Sequence, residues 1–280
     1  MPELPEVETI RRDLHRKVKD KEIKFVTVNT PKIVKEPSIS EFCTQIEGKV
    51  FKNINRRGKY LVIELDSGKK LVIHLGMTGL LIYPFNEDSK KIINVKHNHL
   101  VFTFIDGTKL IFNDVRKFGK IYLVSNLNQI KGMAKLGLDP LDDCFKEEIL
   151  VQILNKKKKS KIKSFLMNQE FITGLGNIYV NEVLYRANIH PLRKISSLHK
   201  EEIGNLYQQI KLVLNKAIKS GGSTVADEAY LNTDGEKGKF AEKLQVYARK
   251  GEPCLKCGHS IDVVKIEGRS SFICPQCQKL

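Results

Sequence analysis

Four cysteines near the end of the chain constrain its fold more than any other feature. Cys254, Cys257, Cys274 and Cys277 follow a C-x2-C-x16-C-x2-C pattern. Two C-x-x-C knuckles at this separation suit a tetrahedral four-thiolate zinc site, closed to further ligands. A redox pair would need only one C-x-x-C. The doubled pattern therefore predicts one structural Zn²⁺ and a small metal module over residues 244–280. His259 falls inside the module, but four thiolates already complete the tetrahedron. Cys43 and Cys144 stand alone, so the six cysteines are not a disulfide framework, and a reducing cytoplasm fits best.

The rest of the 280 residues has room for two domains. Lys and Arg number 48 against 32 Asp and Glu, a net charge of +16. Such an excess implies a polyanionic partner or an anionic surface. No run of 18 apolar residues occurs, so no transmembrane helix is expected, and the charged start is not a signal peptide. Short β-branched and aromatic runs at 23–28, 60–65, 71–75, 100–105, 110–112 and 121–124 predict strands. Asp66-Ser67-Gly68 and Asp106-Gly107 read as hairpin turns between neighbouring runs. This pattern suggests a β-sandwich or barrel. Helical periodicity takes over from about Glu147, with helices at 149–154, 162–167, 178–187 and 198–218. Residues 223–243 are polar, contain Asp234-Gly235 and Gly238, and read as a mobile loop.

The opening stretch, Met1-Pro2-Glu3-Leu4-Pro5-Glu6-Val7-Glu8, supports two readings. Pro near a helix start, acidic residues in the first turn, and Val7, Ile10 and Leu14 at helical spacing predict a helix from about Glu3 to Arg16. A chemical role is compatible with that helix. Removal of Met1, favoured by a small following residue, would leave Pro2 as a secondary amine. An α-amine has a pKa of about 7.7–8.0 against about 10.4 for Lys, so far more of it is free base near neutrality. Attack on an aldehyde-like carbon would give an iminium with no N–H to lose, an electron sink. Glu3 would place a carboxyl beside it for proton transfer.

Other stretches have a bland reading beside a functional one. Gly174-Leu175-Gly176-Asn177 between two helices is a turn, or a phosphate cradle at a helix N-terminus. The run Lys156 to Lys163 is a solvated face, or a source of salt-dependent polyanion affinity. Lys59 after Gly58 is a strand-edge lysine, or an ammonium presented by a hairpin. Arg269, between the cysteine pairs, is a solvated arginine, or a phosphate or base contact held on a rigid clip. Met77 and Phe118 read as core, and His97 as structural.

MPELPEVET closely resembles the opening of the bacterial formamidopyrimidine-DNA glycosylases, bifunctional repair enzymes for oxidised purines. The resemblance continues in order through Arg56-Arg57-Gly58-Lys59-Tyr60, His74-Leu75-Gly76-Met77-Thr78-Gly79, Asn113-Asp114-Val115-Arg116-Lys117-Phe118-Gly119, the Gly174–Asn177 turn and the cysteine module. It implies an α+β chain. Residues 1–135 would form a catalytic β-sandwich domain with the first helix, and 136–243 a helix–two-turn–helix DNA-binding domain with a lesion loop. Residues 244–280 would be the zinc finger. Pro2 would be the Schiff-base nucleophile and Glu3 the acid/base, with Lys59 and Arg269 also catalytic. Met77, Arg116 and Phe118 would fill the gap left by an extruded base; an apolar wedge and a planar cation suit that task. His97, Arg116, Lys158 and Asn177 would contact DNA. Val115 and Lys117 depart from a commoner Pro and Arg, which touches the shape of that loop and one phosphate contact. The implied partner is damaged duplex DNA, bound by a monomer. An endonuclease VIII-type relative acting on oxidised pyrimidines is the nearest rival, although Leu4 favours the purine branch; a non-catalytic zinc-finger protein would leave the start of the chain unexplained.

Overall fold

Val7, Ile10, Leu14 and Val18 recur on one side of the first helix, and all four are fully buried. That stripe makes α1 (Leu4–Val18) a core element, with Pro5 in its first turn and His15, Arg16 and Lys17 in its last, where the helix dipole favours cations. A computed structural model describes residues 1–225 and 230–280, which form two compact units. The first comprises residues 1–134 and 218–241, the second 135–217 and 242–280.

Among the described residues the first unit holds nine strands: β1 (Ile23–Val28), β2 (Val34–Glu36), β3 (Phe51–Arg57), β4 (Tyr60–Leu65), β5 (Lys70–His74), β6 (Gly79–Ile82), β7 (Asn98–Phe104), β8 (Lys109–Asp114) and β9 (Lys120–Val124). Short helices α2 (Ile39–Ile46), α3 (Glu87–Ile92) and α4 (Lys131–Ala134) join or follow them. One sheet runs β1-β7-β8-β6 and the other β2-β9-β5-β4-β3. All pairings are antiparallel except β2 with β9. Ile63 and Ile73 from one sheet, and Phe102 and Phe112 from the other, share a single core with the α1 stripe. Phe51 meets the rings of Phe102 and Phe104 edge-on, at centroid distances of 6.0 and 5.6 Å, closing the sandwich.

β3 is hidden in the sequence for a physical reason. A bulge between Phe51 and Asn53 lets Phe51 and Ile54, three residues apart, both point inward. That spacing breaks the period of two. The two predicted hairpin turns join β4 to β5 and β7 to β8, with Gly68 and Gly107 at φ +78° and +82°.

The second unit holds α5 (Glu147–Asn155), α6 (Ile162–Met167), α7 (Asn177–Arg186), most of α8 (Lys200–Lys219), and the hairpin β10 (Asp262–Ile266) and β11 (Arg269–Ile273). Among the described residues no helix is long and apolar enough to cross a membrane.

One expectation needs correction. Residues 218–241 pack with the sandwich rather than with the helical domain. Nor is the described part of 223–243 a loose loop. Ser223 N–H donates to Glu6 Oε1 at 2.8 Å, and Tyr83 N–H donates to the Thr233 carbonyl at 2.9 Å. Lys17 Nζ reaches Thr233 Oγ1 at 2.8 Å and Asp234 at 2.6 Å, and Thr233 is fully buried. Polarity suggests solvent, but these polar groups are satisfied by α1 and the sandwich. Residues 226–229, also within the expected loop, lie outside the described residues.

Candidate active site and zinc centre

Pro2, Glu3 and Glu6 are buried at the head of α1, with Glu3 3% and Glu6 1% exposed. Glu6 uses both oxygens on backbone. Oε2 accepts from Glu3 N–H at 2.9 Å, and Oε1 from Ser223 N–H at 2.8 Å. The first bond is the return half of a capping box, satisfying an N–H that a helix start leaves open. Gly222 is needed opposite it. At φ +84°, an added Cβ would lie 3.0 Å from Glu6 Oε1 and from the Tyr230 ring.

Two residues after Glu6, Glu8 collects arginines. Arg11 and Arg12 bond it from α1 itself, and Arg56 Nε reaches it at 3.1 Å from the end of β3. Burial alone would raise the Glu8 carboxyl, but hydrogen bonds from Arg11 and Arg12 and the charges of Arg11 and Arg56 outweigh it and hold it below its ordinary value. Arg56 also donates to the Gly58 carbonyl at 2.9 Å. Glu8 and Arg56 thus tie the β3–β4 turn to the helix that carries Pro2. That turn, with Gly58 at φ +57°, presents Lys59, which is only 7% exposed.

His74 sits opposite Tyr60 in the β4–β5 register. Burial, followed by the charges of Lys59 and Lys120, lowers its pKa from 6.5 to about 4. It is therefore neutral at physiological pH, and its Nδ1 accepts from Gly76 N–H at 3.1 Å. Gly76 begins the Met77 loop. An added Cβ at Gly76, φ +66°, would fall 2.6 Å from the Phe118 carbonyl carbon, so the two loops touch backbone to backbone. Their tips face solvent, with Met77 38% and Phe118 49% exposed. The Arg116 guanidinium stacks on the Phe118 ring at 4.7 Å. Lys117, in place of the commoner arginine, adopts φ +56°. His97 ends a one-turn 3₁₀ segment, with its ring 6.4 Å from that of His99.

In the second unit, Gly174 at φ +91° and an extended Gly176 make the turn that starts α7 at Asn177. Asn177 Nδ2 donates to the Ser270 carbonyl at 3.1 Å, which also accepts from Lys163 Nζ at 3.0 Å. Phe272 N–H donates to Asn181 Oδ1 at 2.8 Å. These bonds dock the β10–β11 hairpin on the helical module. The hairpin turns at Glu267-Gly268, both with positive φ, as a two-residue type I′ loop requires, and leaves Arg269 exposed beside the tip. Lys158 lies in an exposed stretch of the basic run.

The four Sγ atoms of Cys254, Cys257, Cys274 and Cys277 lie within 4.8 Å of one another. Three of the separations are 3.8, 3.4 and 3.5 Å. A Zn–S bond of ~2.3 Å implies S···S edges of about 3.8 Å in a tetrahedron, so the cage fits one zinc ion. His259 is exposed and takes part only through its carbonyl, which accepts from Cys254 N–H.

The predicted residues therefore fall into two groups. Pro2, Glu3, Lys59, Met77, His97, Arg116 and Phe118 belong to the first unit; Lys158, Asn177, Arg269 and the cysteines belong to the second. Three important polar groups escape the sequence reading. Glu6 passes as an ordinary first-turn acid, although its place three residues after the N-cap is a capping-box signal. Lys163 reads as part of the basic run but is 1% exposed. Glu182, fully buried in α7, accepts from the N–H groups of Gln245, Val246 and Tyr247. Its only sequence signal is an acid on an otherwise apolar helix face.

Both the imidazole and the thiolate cage can be tested. With a folded pKa below the unfolded one, His74 binds its proton more readily in the unfolded chain. Its contribution is fully present above pH 6.5 and is lost as pH falls toward about 4. His74→Asn should flatten the rise of unfolding free energy over that window; an unchanged slope in urea titrations would contradict the assignment. Native mass spectrometry should find one zinc per chain, and Cys274→Ala should lose it and open the 251–280 segment to protease, since metal binding supplies folding energy. A metal-free protein with a protease-resistant hairpin would refute the zinc role.

Comparison with known proteins agrees with this architecture along its length. The profile of the formamidopyrimidine-DNA glycosylase N-terminal domain matches residues 1–121, that of the family's H2TH domain residues 136–229, and a zinc finger found in FPG and IleRS residues 251–280. The formamidopyrimidine-DNA glycosylase of Pelotomaculum thermopropionicum is 43% identical over 282 residues, covering all of both chains. That of Enterococcus faecalis is also 43% identical, over all of this chain and 98% of its own. Among solved structures, the MutM (Fpg) protein of Thermus thermophilus superposes with a TM-score of 0.87 at 34% identity, covering 99% of this chain and 98% of that one. Lactococcus lactis Fpg, solved with a DNA containing N7-benzyl-Fapy-dG, superposes at 0.88 with 36% identity over both full chains. The chain belongs to the formamidopyrimidine-DNA glycosylase family, DNA glycosylases with AP lyase activity that remove oxidised purines.

Proposed function

We propose that this chain, acting as a monomer on damaged duplex DNA, excises oxidised purines such as 8-oxoguanine through Pro2 and Glu3. The reading is carried by the head of α1, where Pro2 and Glu3 sit buried together and Glu6 fixes the Glu3 backbone. C1′ of a damaged nucleotide is unreachable inside the stack, so the nucleotide must be extruded. With Met1 removed, the Pro2 nitrogen attacks C1′. The C1′–N9 bond breaks, the base leaves with a proton, and Glu3 protonates the opening sugar ring oxygen. The resulting iminium acidifies C2′. Loss of a C2′ proton expels the 3′ phosphate, and a second elimination expels the 5′ phosphate, leaving a one-nucleotide gap. Lys59, on the turn tied to α1, holds phosphate at the reacting nucleotide. Arg269, exposed beside the finger tip, serves the reaction as a phosphate or base contact. Met77, Arg116 and Phe118 fill the vacated stack, while His97, Lys158 and Asn177 contact the backbone. Asn177 can keep its side-chain amide on Ser270 and offer its backbone N–H at the start of α7 to phosphate.

Paired excision assays on 8-oxoguanine and thymine-glycol duplexes test this reading. The 8-oxoguanine duplex should be the better substrate. Glu3→Gln keeps the shape but removes the titrating proton, and should cut excision by roughly 10²-fold or more. A preference for thymine glycol, or full activity in Glu3→Gln, would count against it.

A further inference from the structure

Asp114, at the end of β8, is fully buried and carries no part of the reaction described above. Its carboxylate accepts from both exposed loops. Oδ1 takes the Thr78 hydroxyl at 2.5 Å and the Arg116 N–H at 3.2 Å. Oδ2 takes the Gly119 N–H at 2.8 Å. Thr78 Oγ1 in turn accepts from Arg116 N–H at 3.1 Å, so one amide is shared between the two side chains. Thr78 follows Met77, whereas Arg116 and Gly119 bracket Phe118. The backbone of Asp114 is also fixed. Its carbonyl accepts from His99 Nε2, at 2.7 Å, and from Lys117 N–H, at 3.3 Å. A carbonyl can only accept, so His99 carries its proton on Nε2, leaving Nδ1 for the Thr30 hydroxyl at 2.8 Å.

From this network we infer that Asp114 is a positioning residue that bolts the Met77 loop and the Arg116–Phe118 loop into one preassembled wedge. The inference rests on the void-filling reading above. Its physical basis is the asymmetry between a buried base and an exposed tip. Inserted side chains must replace stacking without first paying to order two separate loops, and a buried carboxylate with three donors does that ordering in advance. The two loops already meet backbone to backbone at Gly76, where even a Cβ would not fit. A carboxylate accepts from all three donors at once. An amide cannot: with its NH₂ toward Gly119 the buried Gly119 N–H loses its acceptor, and with its NH₂ toward Thr78 the hydroxyl must turn to accept and gives up its own bond to the side chain.

Asp114→Asn and Thr78→Val, with Thr78→Ser as the conservative control, test the inference. Three quantities are read for each: excision from an 8-oxoguanine duplex, the fluorescence rise of 2-aminopurine opposite the lesion, and strand cleavage at an abasic site in single-stranded DNA. Single-stranded cleavage needs no extrusion and no wedge. The first two should fall about tenfold or more in Asp114→Asn and Thr78→Val, as expected for an unsatisfied buried donor or a lost hydroxyl. Single-stranded cleavage should stay within about twofold, and Thr78→Ser should restore duplex excision. A parallel loss of duplex and single-stranded activity would mean general destabilisation and overturn the inference, as would unchanged duplex excision in both Asp114→Asn and Thr78→Val. Failure of the unmodified protein on the 8-oxoguanine duplex would instead sink the functional reading on which the inference rests.

Discussion

The Glu6 carboxylate is the interaction on which the arrangement at the head of α1 depends. It is 1% exposed and joins two segments more than two hundred residues apart in sequence, the Glu3 backbone and the Ser223 backbone. A buried carboxylate is costly unless its oxygens are satisfied, and here each oxygen has an amide donor. Losing either donor would remove one of these buried bonds and loosen the join. The head of α1 and the start of the 218–241 segment are thereby held in one arrangement. Glu8, two residues on, repeats the device, using arginine side chains to bring the Lys59 turn to the same helix.

The second unit uses the same logic with other partners. Glu182 gathers three successive backbone amides just ahead of the first zinc-site cysteine, and Lys163 donates to the Ser270 carbonyl and the Ser271 hydroxyl at the hairpin. Both side chains are buried, and their polar ends are matched. Zinc closes the module from within, while these charges dock it from outside. Rigid support of this kind is what a site needs if small misplacements are not to erode rate.

What the sequence discloses follows from the range of the forces involved. Local signals are legible: the helix stripe of Val7, Ile10 and Leu14, the glycine turns at Gly68 and Gly107, and the cysteine spacing each depend on neighbours in the chain. β3 is not legible, because a bulge sets Phe51 and Ile54 out of the strand period. Lys163 looks like a solvated charge because its acceptors lie more than a hundred residues away. The polar 223–243 stretch looks mobile for the same reason, since Glu6, Asp13 and Lys17, which hold its Ser223 and Thr233, lie at the other end of the chain. The placement of Met77 and Phe118 comes from resemblance. As isolated apolar residues they read as core, and their exposure overturns that reading.

The central claim is that covalent chemistry belongs to the nitrogen of Pro2. The most direct measurement is borohydride reduction of the processed protein on 8-oxoguanine duplex, followed by peptide mapping of the cross-link. The account predicts a single adduct on the N-terminal peptide at Pro2, abolished when Met1 is retained, because the proline nitrogen is then an amide with no nucleophilic lone pair. An adduct on Lys59, or trapping at the native rate by the Met1-retaining form, would contradict it.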